Sequence, residues 1–184
     1  MLVLDPIVIL LANYCIGCLF LLACYGKLSA FAVFCATLEE YRLVPARLIG
    51  TFVAIIVVAE LAIGFAAFIQ EFATHAMQLG AALLLVYASA IGTNLVRGRR
   101  DIDCGCTGPA TRQLLSGWLL LRNLGLAGIA LLGAAMPSVR PLHFADLVLV
   151  GIGVLGAMAL YAAINQLMAN APRLDALDSL MDTN

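Results

Sequence analysis

Five runs of about twenty mostly apolar residues, near 6–25, 48–70, 76–96, 114–136 and 144–168, constrain the fold of this 184-residue chain more than any other feature. A helix rises about 1.5 Å per residue, so twenty residues cross the roughly 30 Å hydrocarbon core of a bilayer. Within that core every peptide N–H and C=O must be satisfied by the protein itself, which a helix does locally. The runs therefore predict an all-α, polytopic membrane helix bundle of about five transmembrane helices, a four-helix core plus a C-terminal helix. Composition agrees: 64% of residues are hydrophobic and 11% charged, against roughly 45–50% and about 25% in soluble domains. A soluble protein of this length could not bury so much apolar surface.

One transmembrane domain is expected over residues 1–170, with a short acidic C-terminal tail over 171–184. In that tail Leu174, Leu177, Leu180 and Met181 alternate with Asp175, Asp178 and Asp182; it reads either as a frayed end or as a short amphipathic turn. Asp5 and Pro6 make a natural helix start, as N-cap and first helical residue. No basic stretch precedes the first run and no small-residue cleavage site follows it, so it reads as an anchor and not as a cleaved signal. The net charge is −1 and there is no basic tract, which argues against nucleic-acid binding.

Short loops rich in Lys and Arg tend to remain cytoplasmic. Lys27, Arg42, Arg47, Arg97, Arg99, Arg100, Arg112 and Arg173 fall on one side, eight in all, and Arg140 alone on the other. This predicts the N-terminus outside and the C-terminus inside a cell inner membrane. It also puts the loop after the third run at the cytoplasmic side.

That loop, Arg97-Gly-Arg-Arg-Asp-Ile-Asp-Cys104-Gly-Cys106-Thr-Gly108, holds two thiols one glycine apart. Cysteines so spaced can reach the roughly 4.4–6.8 Å Cα separation of a disulfide. Nearby guanidinium groups favour the reactive thiolate, although Asp101 and Asp103 partly cancel them. Three readings stand: a redox pair, a static disulfide clip that shapes the loop, and half of a metal site. Zinc wants four N or S ligands, and the two histidines, His75 and His143, are expected in loops on the opposite face, so no metal is assigned. Cys15 and Cys18 share one face of the first helix. They read as small residues packing against another helix, or as a second thiol pair at the far end of an electron path.

Glu60, Arg122 and Asn123 lie inside predicted spans. Each charge there costs on the order of 2.5–3.5 kcal/mol on insertion scales and should face the interior with a partner. Glu60 and Arg122 are the expected pair, with Asn123 beside them, serving as a structural clasp or in proton or quinone handling. Lys27, at the end of the first helix, is expected to snorkel to the interface, and Trp118 to anchor the start of the fourth. Gly125, Gly128, Gly151, Gly153 and Gly156 allow close helix approach.

Taken together, Gly26-Lys27, Phe31 and Phe34, Tyr41-Arg-Leu-Val-Pro45, Glu60, the block from Gly98 through Cys104-Gly-Cys106 to Gly108, and Arg122-Asn123 resemble the methylamine utilisation protein MauE family. The resemblance runs from about residue 10 to 135; Cys15, Cys18 and the last helix lie outside it. It implies a membrane accessory protein supporting the processing, transport or disulfide maturation of the small (β) subunit of methylamine dehydrogenase. A thioredoxin-like protein, MauD, is the implied partner. The family is similar in turn to DoxX-like and vitamin-K-epoxide-reductase-like membrane proteins, an analogy that suggests thiol–quinone chemistry, with a quinone as the cofactor it would call for. The leading expectation is a thiol–disulfide oxidoreductase component working through Cys104 and Cys106. The alternative is a non-catalytic scaffold that docks the thioredoxin-like partner, and a small-solute channel is a third class.

Overall fold

Asp5 Oδ1 accepts a hydrogen bond from Ile7 N at 2.9 Å, and Pro6 occupies the first helical turn, so the first helix starts where the sequence places it. In the computed structural model, which describes residues 3–99, 102 and 114–181 (side chains for 4–99, 102 and 114–171), six α-helices follow one another. They are α1 (Pro6–Ser29), α2 (Phe31–Tyr41), α3 (Ile49–Ala66, entered through a 3-10 turn at Ala46–Leu48), α4 (Gln70–Val96), α5 (Gly117–Gly133) and α6 (Phe144–Met181). Four segments are long and apolar enough to cross a membrane: α1, Ala46–Ala66, α4 and Phe144–Ala171 of α6. The fifth, α5, has 17 residues, and the apolar chain continues past both its ends. The protein is thus an all-α, multi-pass membrane bundle. A two-residue parallel β-bridge pairs Val3–Leu4 with Met136–Pro137.

Three details depart from the sequence reading. The segment read as the first loop contains α2, whose buried Phe34, Thr37 and Tyr41 recur at helical spacing. The turn between α3 and α4 is shorter than expected, so His75 lies within α4 and not in a loop. The last helix continues through the start of the acidic tail to Met181.

Helix α1 is the hub. It packs against α3, α5 and α6, while α4 packs against α5 and α3. The α1–α3 approach is close because Gly17 faces Gly64 and Ala67: a Cβ on Gly17 would lie 2.9 Å from Ala67 Cβ, and one on Gly64 2.7 Å from Leu21 Cδ2. Small residues play this part in lipid, where no hydrophobic gradient draws helices together and close van der Waals contact must hold them. Gly133 does the same against Asn13 and Met77. Of the glycines singled out from the sequence, Gly153 meets Leu11, whereas Gly125, Gly128, Gly151 and Gly156 have nothing within 4 Å of a built Cβ. Ile16, Phe20, Ile63, Met77, Leu84 and Ala130 form the main core. Most of α6 faces outward, with Val150 and Asn165 turned in.

Helix α4 ends in a Schellman motif. Arg99 N donates to Asn94 O and Gly98 N to Leu95 O, both at 3.0 Å, with Gly98 at φ 74°. Glycine takes that left-handed conformation at little cost. The motif turns the chain into the connection that carries the Cys-Gly-Cys sequence.

Candidate functional site

Lys27 is 2% exposed and Glu60 is 0% exposed, and Lys27 Nζ lies 2.6 Å from Glu60 Oε1. Tyr87 OH donates to the same oxygen at 2.8 Å. The ammonium also sits over the rings of Phe34 (5.2 Å) and Tyr87 (5.5 Å), placements in which an aromatic face attracts a cation. Lys27 therefore does not snorkel. Side chains in a helix lean toward its N-terminus, so from the end of α1 the lysine stem climbs into the bundle. Antiparallel α3 presents Glu60 there: Cys24, one turn earlier on α1, has its Sγ 3.7 Å from Val57 O.

Glu60 thus takes Lys27 as its ion-pair partner, where the sequence suggested Arg122. The reason is packing. Helix α5 seats against α4 and α1, so α1 supplies the cation that meets α3. Arg122 is nevertheless buried, and its Nη1 donates to Asn165 Oδ1 of α6 at 3.0 Å. Asn123 Nδ2 donates back to Leu119 O of its own helix at 2.8 Å. Glu60, Lys27, Tyr87, Arg122, Asn123 and Tyr161 all line one cavity of about 50 Å³ at the centre of the bundle. The structure thus gathers all four intramembrane polar residues singled out from the sequence. It adds Tyr87, Tyr161 and Asn165, whose only signal was a polar group inside an apolar run.

A second pocket, about 330 Å³, opens between α2, α3 and α4 with mostly apolar walls that include Phe34, Tyr41 and Phe52. Lys27 and Tyr87 line both cavities. At this end Tyr41, Ile91, Leu115 and Leu119 form a buried cluster, with Ile102 and Trp118 packed against it. Leu115 N donates to Ile102 O at 3.0 Å, joining two points of the α4–α5 connection to each other, and Arg99 Nη1 donates to Glu40 O at 3.3 Å, tying that connection to α2.

Cys104 and Cys106 lie outside the described residues. Cys15, Cys18, Cys24 and Cys35 are free thiols. The face of α1 that lines the central cavity carries Ile16, Leu19, Phe20 and Ala23; Cys15 and Cys18 are not on it and are only partly buried. No group of three or more His, Cys, Asp or Glu side chains suited to a metal occurs among the described residues.

At the opposite end Arg140 bridges Asp5 (2.9 Å) and Asp146 (2.7 Å), a clasp from the N-terminus to the start of α6. Its guanidinium is held above its ordinary pKa, first by the hydrogen bond to Asp146.

Known proteins match the part of the chain that supplies Lys27, Glu60, Tyr87, Arg122 and Asn123, while Tyr161 and Asn165 of α6 lie beyond it. The family model described as methylamine utilisation protein MauE matches residues 5–136, from the cap of α1 to the end of α5. The methylamine utilization protein MauE of Paracoccus denitrificans is 32% identical over 138 residues, covering 74% of each chain. That of Paracoccus versutus is 33% identical over 144 residues, 78% of this chain and 77% of its own. That of Methylophilus methylotrophus is 31% identical over 134 residues, 72% and 70%. No solved structure shows significant similarity. With the family model spanning α1 to α5 and relatives covering about three quarters of their own length, this chain belongs to the methylamine utilisation protein MauE family.

Proposed function

We propose that the protein is an accessory factor of methylamine utilisation in the cell inner membrane, passing electrons by thiol–disulfide exchange through Cys104 and Cys106. The client is the small subunit of methylamine dehydrogenase and the partner a thioredoxin-like protein, MauD. One observation carries this reading: a chain of this family has a Cys-Gly-Cys sequence in a connection whose Ile102 and Leu115 pack onto the bundle with Tyr41, Ile91 and Leu119.

In the exchange, the thiolate of one cysteine attacks a sulfur of the partner's disulfide, forming a mixed disulfide and releasing one partner thiolate. The second cysteine then attacks the mixed disulfide, closing the Cys104–Cys106 bond and releasing the other partner thiol. Two electrons pass to the partner. The reaction consumes one disulfide and makes one, so no further oxidant enters the step.

With Lys27 buried, the Lys/Arg asymmetry becomes seven (Arg42, Arg47, Arg97, Arg99, Arg100, Arg112, Arg173) against Arg140. It still favours a cytoplasmic Cys-Gly-Cys connection, whereas the resemblance to the MauE family implies a client that matures in the periplasm. On this orientation the relay must hand its electrons across the bilayer.

Cys104→Ser and Cys106→Ser should each abolish client maturation while the protein still accumulates in the membrane, and one of the two should trap a mixed disulfide with its partner. Thiol labelling from each side of the membrane reads the orientation in the same strains. Intact maturation in the double serine variant would leave the scaffold reading in place of the relay.

A further inference from the structure

The Lys27–Glu60–Tyr87 cluster is asymmetric. Both hydrogen bonds to the Glu60 carboxylate reach Oε1, and Oε2 is buried with no hydrogen-bond partner among the described residues. A buried carboxylate oxygen seldom lacks a donor, since it gives up hydration without replacement. Glu60 lines the central cavity, whose volume of about 50 Å³ leaves room for a water molecule. A buried water requires two to four polar partners, and Lys27, Tyr87, Arg122 and Asn123 line the cavity beside Glu60. Arg122 carries five N–H donors and Asn123 an amide, and both line it with Glu60.

We propose that this cavity is a water-binding site. Water donates to Glu60 Oε2 and is held on its other side by the polar groups of α5, joining the Lys27–Glu60 pair of α1 and α3 to the Arg122–Asn165 pair of α5 and α6. The site has a route of supply. Lys27 and Tyr87 form the shared wall between this cavity and the 330 Å³ pocket at the end of the bundle, so a swing of Tyr87 admits water without parting the helices. This inference does not depend on the thiol chemistry proposed above.

Short-pulse radiolytic hydroxyl-radical labelling of the intact protein in detergent, read by mass spectrometry, tests it, because bound water is then the local source of radicals. Leu84 lines the cavity and Leu10 does not, yet both are 6% exposed and share one side-chain chemistry. Leu84 should be labelled several-fold faster than Leu10, and Ala23→Leu, which fills the cavity from α1, should bring the two rates together. Equal rates in the unaltered protein mean a dry cavity and overturn the proposal, whether or not the filled variant folds. A fast Leu84 rate that Ala23→Leu leaves unchanged would also overturn it, since the radicals would then come from elsewhere.

Discussion

The inside of the bundle and its end at Arg140 use the same chemistry in opposite surroundings. Inside the bundle, Lys27 meets Glu60 at 2.6 Å with both groups almost wholly buried. At that end, Arg140 holds Asp5 and Asp146 at 2.9 and 2.7 Å but is itself 39% exposed. The distances barely differ; the alternatives open to each charge differ greatly. A freed Arg140 finds water or lipid headgroups, and exposed pairs of this kind contribute little. A freed Glu60 finds hydrocarbon, so losing its partner leaves an uncompensated buried charge. Burial, and not bond length, decides which clasp matters.

The largest expected effect comes from breaking the buried pair on one side only. Lys27→Ala should destabilise the protein by about 3–5 kcal/mol, seen as a collapse of membrane-accumulated protein and of its melting temperature in detergent. The double replacement Lys27→Leu with Glu60→Leu should recover most of that loss, because no charge is stranded. If the double variant is as poor as the single one, the pair is not the reason the site is costly to disturb, and the contrast between the two regions fails.

A smaller effect sharpens the comparison. Tyr87→Phe keeps the ring beside Lys27 and deletes the hydroxyl that donates to Glu60. A hydrogen bond to a charged group contributes about 1.5–3 kcal/mol, so the melting temperature should fall clearly but by less than for Lys27→Ala. An unchanged melting temperature would mean that the ammonium alone satisfies Oε1.

The smallest effect belongs to the exposed clasp. Arg140→Ala should shift the melting temperature least of the three. What shift there is should shrink in 1 M salt, where the screening length falls to about 3 Å, whereas the Lys27→Ala loss should hardly respond to salt. A large, salt-insensitive loss at Arg140 would show that the N-terminal tie to α6 carries structure beyond its charges.

Much of this architecture was legible in the chain. Spanning helices announce themselves because lipid demands about twenty apolar residues for each, and Asp5-Pro6 marked the start of α1 with local chemistry alone. Helix α2 was hidden because it is short, and its buried stripe of Phe34, Thr37 and Tyr41 includes a polar residue. The candidate site was legible as a list of residues but not as a set of partners. Glu60, Arg122, Asn123 and Lys27 stood out because polar groups are rare in apolar spans. Their pairing was not readable, because it depends on which helices touch and at what register.

What the sequence determined by itself is therefore the class of fold, its spans and their polar exceptions, since each follows from the local match between side chain and solvent. It also determined that Cys104 and Cys106 belong to the connection between α4 and α5, because covalent order puts them there. The tertiary structure decided that Lys27 turns inward, that Glu60 pairs with α1 and not with α5, and that Arg122 meets α6. Gly17 and Gly64 bring α1 and α3 close enough for a lysine stem to reach a carboxylate one turn deeper. That contact is made across 33 positions of sequence, a separation over which local pattern carries no information and only helix packing does.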